Sequence, residues 1–170
     1  TSVASFDTLA LGFEVAQLGL QDESLRPDDT IIYANCAPRR DLSSPRKNNE
    51  GEGIVYGKLK NGVPVLVVNS GYSLSFIREE LTELWTVKAE RGGSQFRSRD
   101  IFPPLVGKIA RKELDFLGVN LDPLSSIPEA PNDVIGYVDS FGNMKTTFRQ
   151  GDEALAEFRE GDALRISIHG

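Results

Sequence analysis

Residues 53–68 read GIVYGKLKNGVPVLVV, and this stretch carries the clearest fold signal in the chain. Two apolar runs, over residues 53–59 and 63–68, flank an Asn61-Gly62 pair. Asn-Gly between two such runs is the strongest short-range signal for a β-hairpin, because both residues accept the positive φ angles of a tight turn. The stretch therefore predicts two paired strands.

The rest of the N-terminal part alternates between helix and strand patterns. The predicted elements are a helix over residues 6–20 with Ser5 as its N-cap, a buried strand over 30–34, a helix beginning within 74–81, a strand over 84–87 and a helix over 100–117. In the last of these, Asp100 and two prolines suit a first helical turn. Alternating strands and helices predict an α/β fold with a mixed sheet.

A change of composition follows. Residues 120–133 contain three prolines, which is typical of a linker. Beyond it only strand patterns occur, over residues 134–139, 144–148 and 163–168. The chain is therefore predicted to divide into an N-terminal α/β domain (1–119), a linker (120–133) and a small C-terminal β domain (134–170).

Composition excludes several function classes. The 170 residues are 39% apolar and 26% charged, as in an ordinary globular protein. A net charge of −6 argues against nucleic-acid binding, and no apolar run approaches the length of a membrane span. One cysteine and one histidine cannot build a His- or Cys-rich zinc site, so we expect no metal. A single cysteine makes a cytoplasmic location the default.

Polar residues follow two of the predicted strands. Ligands in open α/β sheets bind beyond the carboxyl ends of strands, where Asn35, Asn69 and Ser70 stand in this chain. Gly71 would let the backbone approach a ligand closely. The alternative is a turn that caps the next helix, which Asn, Ser and Gly often form, and these residues taken alone favour it.

Two further stretches carry a family resemblance. Residues 96–104 read FRSRDIFPP and residues 139–147 read DSFGNMKTT. In this order they resemble motifs of the S-adenosylmethionine hydroxide adenosyltransferases and of the related fluorinases and chlorinases. The family's Arg-Asp-Ile-Phe and Asp-x-Phe-Gly-Asn-x-x-Thr patterns are both present. The resemblance implies a homotrimer with sites between subunits, and attack by water or halide on the ribose C5′ of S-adenosylmethionine.

The resemblance also implies roles for individual residues. The implied catalytic residues are Arg39, Arg97 and Ser98, although the first arginine could equally correspond to Arg40 or, less readily, to Arg46. The implied substrate-binding residues are Asn35, Asn69, Ser70, Asp139, Phe141 and Asn143. Asp139 could accept hydrogen bonds from a ribose hydroxyl, and Phe141 could pack on a ring. The alternative for this stretch is a plain β-hairpin turn.

Several residues that the family uses for chemistry are replaced. Two family aspartates correspond to Asn35 and Asn69, and the family histidine corresponds to Arg97. Asparagine cannot take a proton, and arginine stays charged and cannot act as a base. The three exchanges add about three positive charges, which disfavours a cationic sulfonium and favours an anion or neutral adenosine. The chain begins at Thr1 without the family's opening Thr-Asp-Phe-Gly strand, which indicates a divergent and truncated member.

Three hypotheses remain open. The first is a divergent S-adenosylmethionine-cleaving enzyme, an adenosine-forming hydrolase or related transferase, with no cofactor besides this substrate. The second, ranked close behind, is a non-catalytic module that binds adenosine or a nucleotide. The third is a trimeric structural domain without a small ligand.

Overall fold

The computed structural model describes residues 3–36, 53–88, 97–149, 151–159 and 161–163. Its strands are β1 (Ile32–Ala34), β2 (Ile54–Leu59), β3 (Pro64–Val68), β4 (Leu81–Val87), β5 (Leu117–Asn120), β6 (Ile135–Val138) and β7 (Met144–Thr146). Its α-helices are α1 (Thr8–Ala16), α2 (Arg97–Asp100), α3 (Phe102–Ala110) and α4 (Pro123–Ser126). A π-helical turn spans Gln17–Gln21, and short 3₁₀ helices span Ser75–Glu80 and Glu153–Leu155.

Strands β1 to β5 form one mixed sheet in the order β1-β3-β2-β4-β5. The predicted hairpin over residues 53–68 is confirmed: β2 and β3 pair antiparallel, with Tyr56 opposite Leu66. The only parallel pair described in this sheet is β1 with β3, in which Ala34 lies opposite Val67. Both of these strands therefore end at the same edge of the sheet.

Helical layers cover both faces of the sheet, because alternate side chains of a strand point to opposite sides. On one face, Val65 and Val67 pack with Val15 of α1 and Ile77 of the Ser75–Glu80 helix. On the other face, the core contains Ile54, Tyr56, Leu66, Val68, Phe102, Leu105, Ile109 and Phe116. All five residues of β3 are buried, as expected for a strand between two helical layers.

The first helix begins later than predicted. Its N-cap is Asp7, whose carboxylate accepts a hydrogen bond from the Ala10 N–H at 2.9 Å, so the assignment to Ser5 was wrong. Phe6 has a φ of 67°, which turns the chain before the helix can start. The helix then widens into the π-helical turn. A Cβ at Gly19 would lie 2.8 Å from Leu59 Cδ1, so glycine allows this close approach to the sheet without a shift of the Leu59 side chain.

The middle of the chain differs from the predicted pattern in two places. The segment predicted as helix within residues 74–81 is a 3₁₀ helix, and β4 starts at Leu81 rather than at residue 84. The helix predicted over residues 100–117 ends at Ala110, after which Lys112 adopts a φ of 61°. The chain reverses there because β5 pairs antiparallel with β4. Gly118 allows this pairing, since a Cβ would lie 2.4 Å from Thr86 Oγ1.

The C-terminal part is smaller and contains only short elements among its described residues. The predicted linker contains α4, which Asp122 caps by accepting from the Ser125 N–H at 3.0 Å. Strands β6 and β7 form a separate two-stranded sheet. The predicted strand over residues 163–168 lies outside the described residues from 164 onward. The predicted class, a mixed-sheet α/β fold followed by a small β part, is confirmed; the domain boundaries stay a prediction.

Candidate functional site

Two asparagines follow the ends of the parallel strands. Asn35 follows β1 and Asn69 follows β3, and the register of these strands brings their ends together. Asn35 is exposed and Asn69 is half-buried. Neither side-chain amide has a hydrogen-bond partner within the described part of the chain. Each carboxamide can therefore both donate to and accept from a ligand at this edge.

Ser70 connects the two strand ends. Its hydroxyl is buried and donates a short hydrogen bond to the Cys36 carbonyl. Its N–H donates to the Ser73 hydroxyl at 3.3 Å, which in turn donates to the Val68 carbonyl at 2.9 Å. These bonds give Ser70 a positioning role: it fixes the ends of β1 and β3 to each other and leaves the two asparagines at the surface.

The N-terminus of α1 meets the same edge. The Tyr72 N–H donates to Thr8 Oγ1 at 3.2 Å, and a Cβ at Gly71, whose φ is +47°, would lie 2.4 Å from that oxygen. Phe6 lies just before the helix, and its backbone N–H is close enough to the Cys36 thiol to lower the pKa of that thiol. Its ring is 56% exposed. A non-glycine residue with positive φ next to a strand end is the kind of strained position found at binding sites.

A second aromatic ring lies at the end of β1. Tyr33 is 54% exposed, and its ring centroid is 5.4 Å from that of Phe102, the first residue of α3. This contact joins the strand ends to the segment that contains α2. In α2, Ser98 is exposed, and Arg99 donates two hydrogen bonds to the Asp100 carboxylate at 2.6 and 2.9 Å.

We call Phe6, Tyr33, Asn35 and Asn69 the strand-end site. Sequence reasoning placed the two asparagines here and missed both aromatic residues. Tyr33 alternates with buried neighbours along β1, a period-two signal that could have shown it. Of the predicted catalytic residues, Arg39 lies outside the described residues, and only the backbone of Arg97 is described.

The predicted motif around Asp139 forms the turn between β6 and β7. Asp139 accepts hydrogen bonds from the Phe141 N–H at 2.9 Å, the Asn143 N–H at 2.9 Å and the Asn143 side-chain amide at 2.8 Å. The side-chain amide of Asn143, followed by these backbone N–H groups, holds the pKa of the Asp139 carboxyl below its usual value. Turn geometry thus accounts for both residues, whereas the ring of Phe141 is 90% exposed.

Helix α1 relates this hairpin to the strand-end site. The ring of Phe13, in the middle of α1, stacks on Tyr137 of β6 with centroids 6.2 Å apart. Thr8, at the start of the same helix, contacts the strand end. The structure thus brings Asn35, Asn69 and Ser70 together at one end of α1, and packs the β6–β7 hairpin farther along that helix.

The ionisable groups nearest the strand-end site, the Cys36 thiol and the Asp7 carboxylate, are poorly suited to nucleophilic attack or proton transfer. Burial, and next the Asp7 carboxylate, raise the pKa of the Cys36 thiol above its usual value, against the opposing effect of the Phe6 N–H. The thiol is therefore protonated at neutral pH and is a poor nucleophile. The Asp7 carboxylate caps α1. The arrangement of amides and rings suits hydrogen bonding and stacking.

Within the described ranges, the structure shows neither a metal-binding cluster nor a membrane-spanning helix. No three His, Cys, Asp or Glu side chains lie close enough there to hold a metal ion. None of the helices in the same ranges has the length and apolar character needed to cross a bilayer.

Comparison with known proteins supports the fold. No protein-family model matches the chain, and no curated protein matches it in sequence. The chain is similar to the crystal structure of an uncharacterized conserved protein from Thermotoga maritima, with a TM-score of 0.62 and 19% sequence identity. The similarity covers 85% of this chain and 56% of that one. The chain thus spans little more than half the length of that structure, and at this identity the likeness shows the fold alone.

Proposed function

We propose that this chain binds an adenine nucleoside at the strand-end site. The observation that carries the proposal is that two side-chain amides, Asn35 and Asn69, follow the ends of adjacent parallel strands, with the exposed Tyr33 in β1 and the exposed Phe6 just before α1. Asparagine can hydrogen-bond adenine in a bidentate manner, and aromatic rings stack on bases. Strand ends of this kind are the usual ligand sites of open α/β sheets.

The charge of the site favours a neutral nucleoside over a sulfonium. Asn35 and Asn69 carry no charge, and the nearby carboxylate of Asp7 is engaged at the start of α1. A cationic ligand placed there would gain little compensation for its lost hydration. Adenosine carries no charge and needs only hydrogen bonds and stacking. We therefore rank binding ahead of the sulfonium-cleaving reaction, although the sequence alone ranked the reaction slightly first.

Calorimetric titration with adenosine tests this proposal. Asn35→Ala and Asn69→Ala should each weaken adenosine binding by roughly tenfold, because each removes a hydrogen bond worth on the order of 1 kcal/mol or more. Asn132→Ala is the matched control: it removes an exposed asparagine from the connector before β6 and should leave the affinity unchanged. Equal affinities for all four proteins, or no heat with the wild type, would refute the proposal.

Cleavage of S-adenosylmethionine is the second candidate. It is favoured by Ser98, an exposed hydroxyl in the helix that directly precedes Phe102, whose ring contacts Tyr33 of the strand-end site. In this mechanism Ser98 would hold water or halide for attack at the ribose C5′, the C5′–S bond would break, and methionine would leave with its sulfur as a neutral thioether; an attacking water would release its proton to solvent. Chromatography of S-adenosylmethionine incubated with the protein should then show adenosine or halogenated adenosine. Ser98→Ala should abolish the product, and absence of product from the wild type would remove this candidate.

Assembly as a homotrimer in the cytoplasm belongs to the same proposal. The β6–β7 hairpin exposes three large apolar side chains, Val138, Phe141 and Met144. A neighbouring subunit would bury them, and this is where the family resemblance expects the hairpin to complete the nucleoside site. Light scattering should give three times the mass of one chain. A monomer would leave the strand-end site intact but would remove the hairpin's part in it.

A further inference from the structure

A second cleft lies at the other end of α1 from the strand-end site. It has a volume of about 390 Å³ and is bounded by the π-helical turn Gln17–Gln21, the 3₁₀ helix Ser75–Glu80 and the residues that follow β7. This size is in the range of small-molecule sites. π-Helical turns inside helices often occur at functional sites. Here the turn places both Gln17 and Gln21 on the cleft wall.

Ser75 is the clearest sign that this cleft holds a ligand. Its side chain lines the cleft and is only 2% exposed. Among the described residues, its hydroxyl is the buried side-chain polar atom that has no hydrogen-bond partner. Buried polar atoms are nearly always paired, so this buried hydroxyl beside a cavity is expected to bond to a water or to a ligand group.

Arg78 stands next to Ser75 along the cleft. Residues three apart on a 3₁₀ helix lie directly above one another, and both side chains line the cleft. The Arg78 side chain is 15% exposed and donates to the Ile127 carbonyl at 3.3 Å and to Glu129 at 2.8 Å. These bonds use two of the five guanidinium N–H groups. A hydroxyl and a guanidinium on one face are suitable donors for a carboxylate.

The charges that line the cleft are mixed, because Glu79 and Glu80 line it together with Arg78 and Arg149. Glu80 forms an ion pair with Lys60 at 3.3 Å, and Glu79 is exposed at the surface. Arg149, also exposed, adds a second guanidinium to the wall after β7. The charged group nearest the interior is therefore Arg78.

Aromatic rings form the apolar wall. Phe13 and Phe76 line the cleft and meet edge to face, with ring centroids 5.9 Å apart and an interplanar angle of 81°. Phe148 lines it from the side of β7. A flat apolar ring fits such a wall, because aromatic pairs favour offset-stacked and edge-to-face contacts.

We propose that this cleft binds a small aromatic carboxylate. Its ring packs on Phe13 and Phe76, and its carboxylate accepts hydrogen bonds from the Ser75 hydroxyl and the Arg78 guanidinium. The site is independent of the strand-end site, and neither proposal requires the other.

Amide NMR titration with benzoate as the probe tests this inference. Benzoate should shift the amide signals of Ser75, Phe76 and Thr147, and benzyl alcohol and benzylamine should bind at least tenfold more weakly because they lack the carboxylate. Ser75→Ala should weaken benzoate binding by about five- to tenfold. It should not lower the melting temperature, because it removes a buried hydroxyl that has no partner in the free protein.

The controls separate this role from a structural one. Ser24→Ala, which alters an exposed serine hydrogen-bonded to Asp22, should leave benzoate affinity unchanged. Arg78→Lys keeps the charge but loses the fork of donors, and should weaken benzoate binding while benzyl alcohol binding stays constant. The inference is overturned if about 10 mM benzoate shifts no cleft amide. It is also overturned if Ser75→Ala binds benzoate as tightly as the wild type, or if benzyl alcohol binds as tightly as benzoate.

Discussion

Substitution of Gly71 by alanine tests how α1 is joined to the strand ends. Gly71 has a φ of +47°, and an added Cβ would lie 2.4 Å from Thr8 Oγ1 and 3.1 Å from Thr8 Cβ. The left-handed conformation costs alanine about 1–2 kcal/mol. Thr8 must also move, which breaks its hydrogen bond with the Tyr72 N–H at a cost of about 1 kcal/mol. We expect Gly71→Ala to lower the free energy of unfolding by about 2–3 kcal/mol.

Gly142→Ala is the matched control. Gly142 also has a positive φ, +85°, but a Cβ there would meet no atom within 4 Å. This variant should lose only the conformational part, about 1–2 kcal/mol. Both variants gain the same small stabilisation from a stiffer unfolded chain, so the difference between them reports the contact with Thr8.

Urea unfolding measures both variants. With an m-value of about 2 kcal/mol/M, Gly71→Ala should unfold at a midpoint about 0.5 M or more below that of Gly142→Ala. The double variant Thr8→Ala/Gly71→Ala should cost less than the sum of the single variants, since Thr8→Ala removes Oγ1, the atom that the added Cβ approaches most closely. Equal midpoints for Gly71→Ala and Gly142→Ala, with additive double-variant costs, would refute the placement of α1 against the strand end.

Three further predictions concern the turn, the thiol and the core. The pKa of Asp139 is lowered by the Asn143 side-chain amide, so its stabilising effect is present above the unfolded value of about 3.9 and is lost as pH falls through the lower folded pKa. Between these two pKa values the urea midpoint of the wild type should therefore fall more steeply with decreasing pH than the midpoint of Asp139→Asn. The same pH dependence of the midpoint for both proteins would contradict this. Burial raises the pKa of the Cys36 thiol. A disulfide reagent at about pH 8 should therefore react much more slowly with the folded protein than with the urea-unfolded protein. Equal reaction rates would show that the thiolate is accessible in the folded protein. Phe102→Ala should cost about 3–5 kcal/mol in urea unfolding because the ring is buried between α3 and the sheet, and a cost below about 1 kcal/mol would place this ring outside the core.

Local signals predicted the centre of the fold, and distant contacts determined the elements that were missed. The β2–β3 hairpin follows from its Asn61-Gly62 turn and its apolar runs, which act over a few residues. The end of α3 depends on β5 pairing with β4 some thirty residues away, a contact that helical periodicity cannot indicate. Phe116 packs in the same core cluster as Leu105 and Ile109 of α3, but from the segment after the helix. The π-helical turn likewise depends on Gly19 meeting Leu59.

The candidate site was predictable to a similar degree. Asn35 and Asn69 could be placed because strand ends of an α/β sheet share one edge. Phe6 was missed because its position depends on contact with Cys36, thirty residues along the chain. The engagement of the Ser70 hydroxyl by the Cys36 carbonyl is equally non-local. For Asp139, sequence allowed both a ligand contact and a turn, and the structure shows its carboxylate already bonded within the turn.

Amide NMR titration with adenosine decides whether the strand-end site holds a nucleoside. We predict that adenosine shifts the amide signals of Phe6, Asn35 and Asn69, and leaves that of Ser75 in the second cleft unchanged. Saturating shifts at these positions with a dissociation constant below about 1 mM would support the claim. Unchanged amide signals for all three residues at an adenosine concentration of about 1 mM, or shifts confined to other surfaces, would contradict a nucleoside site there.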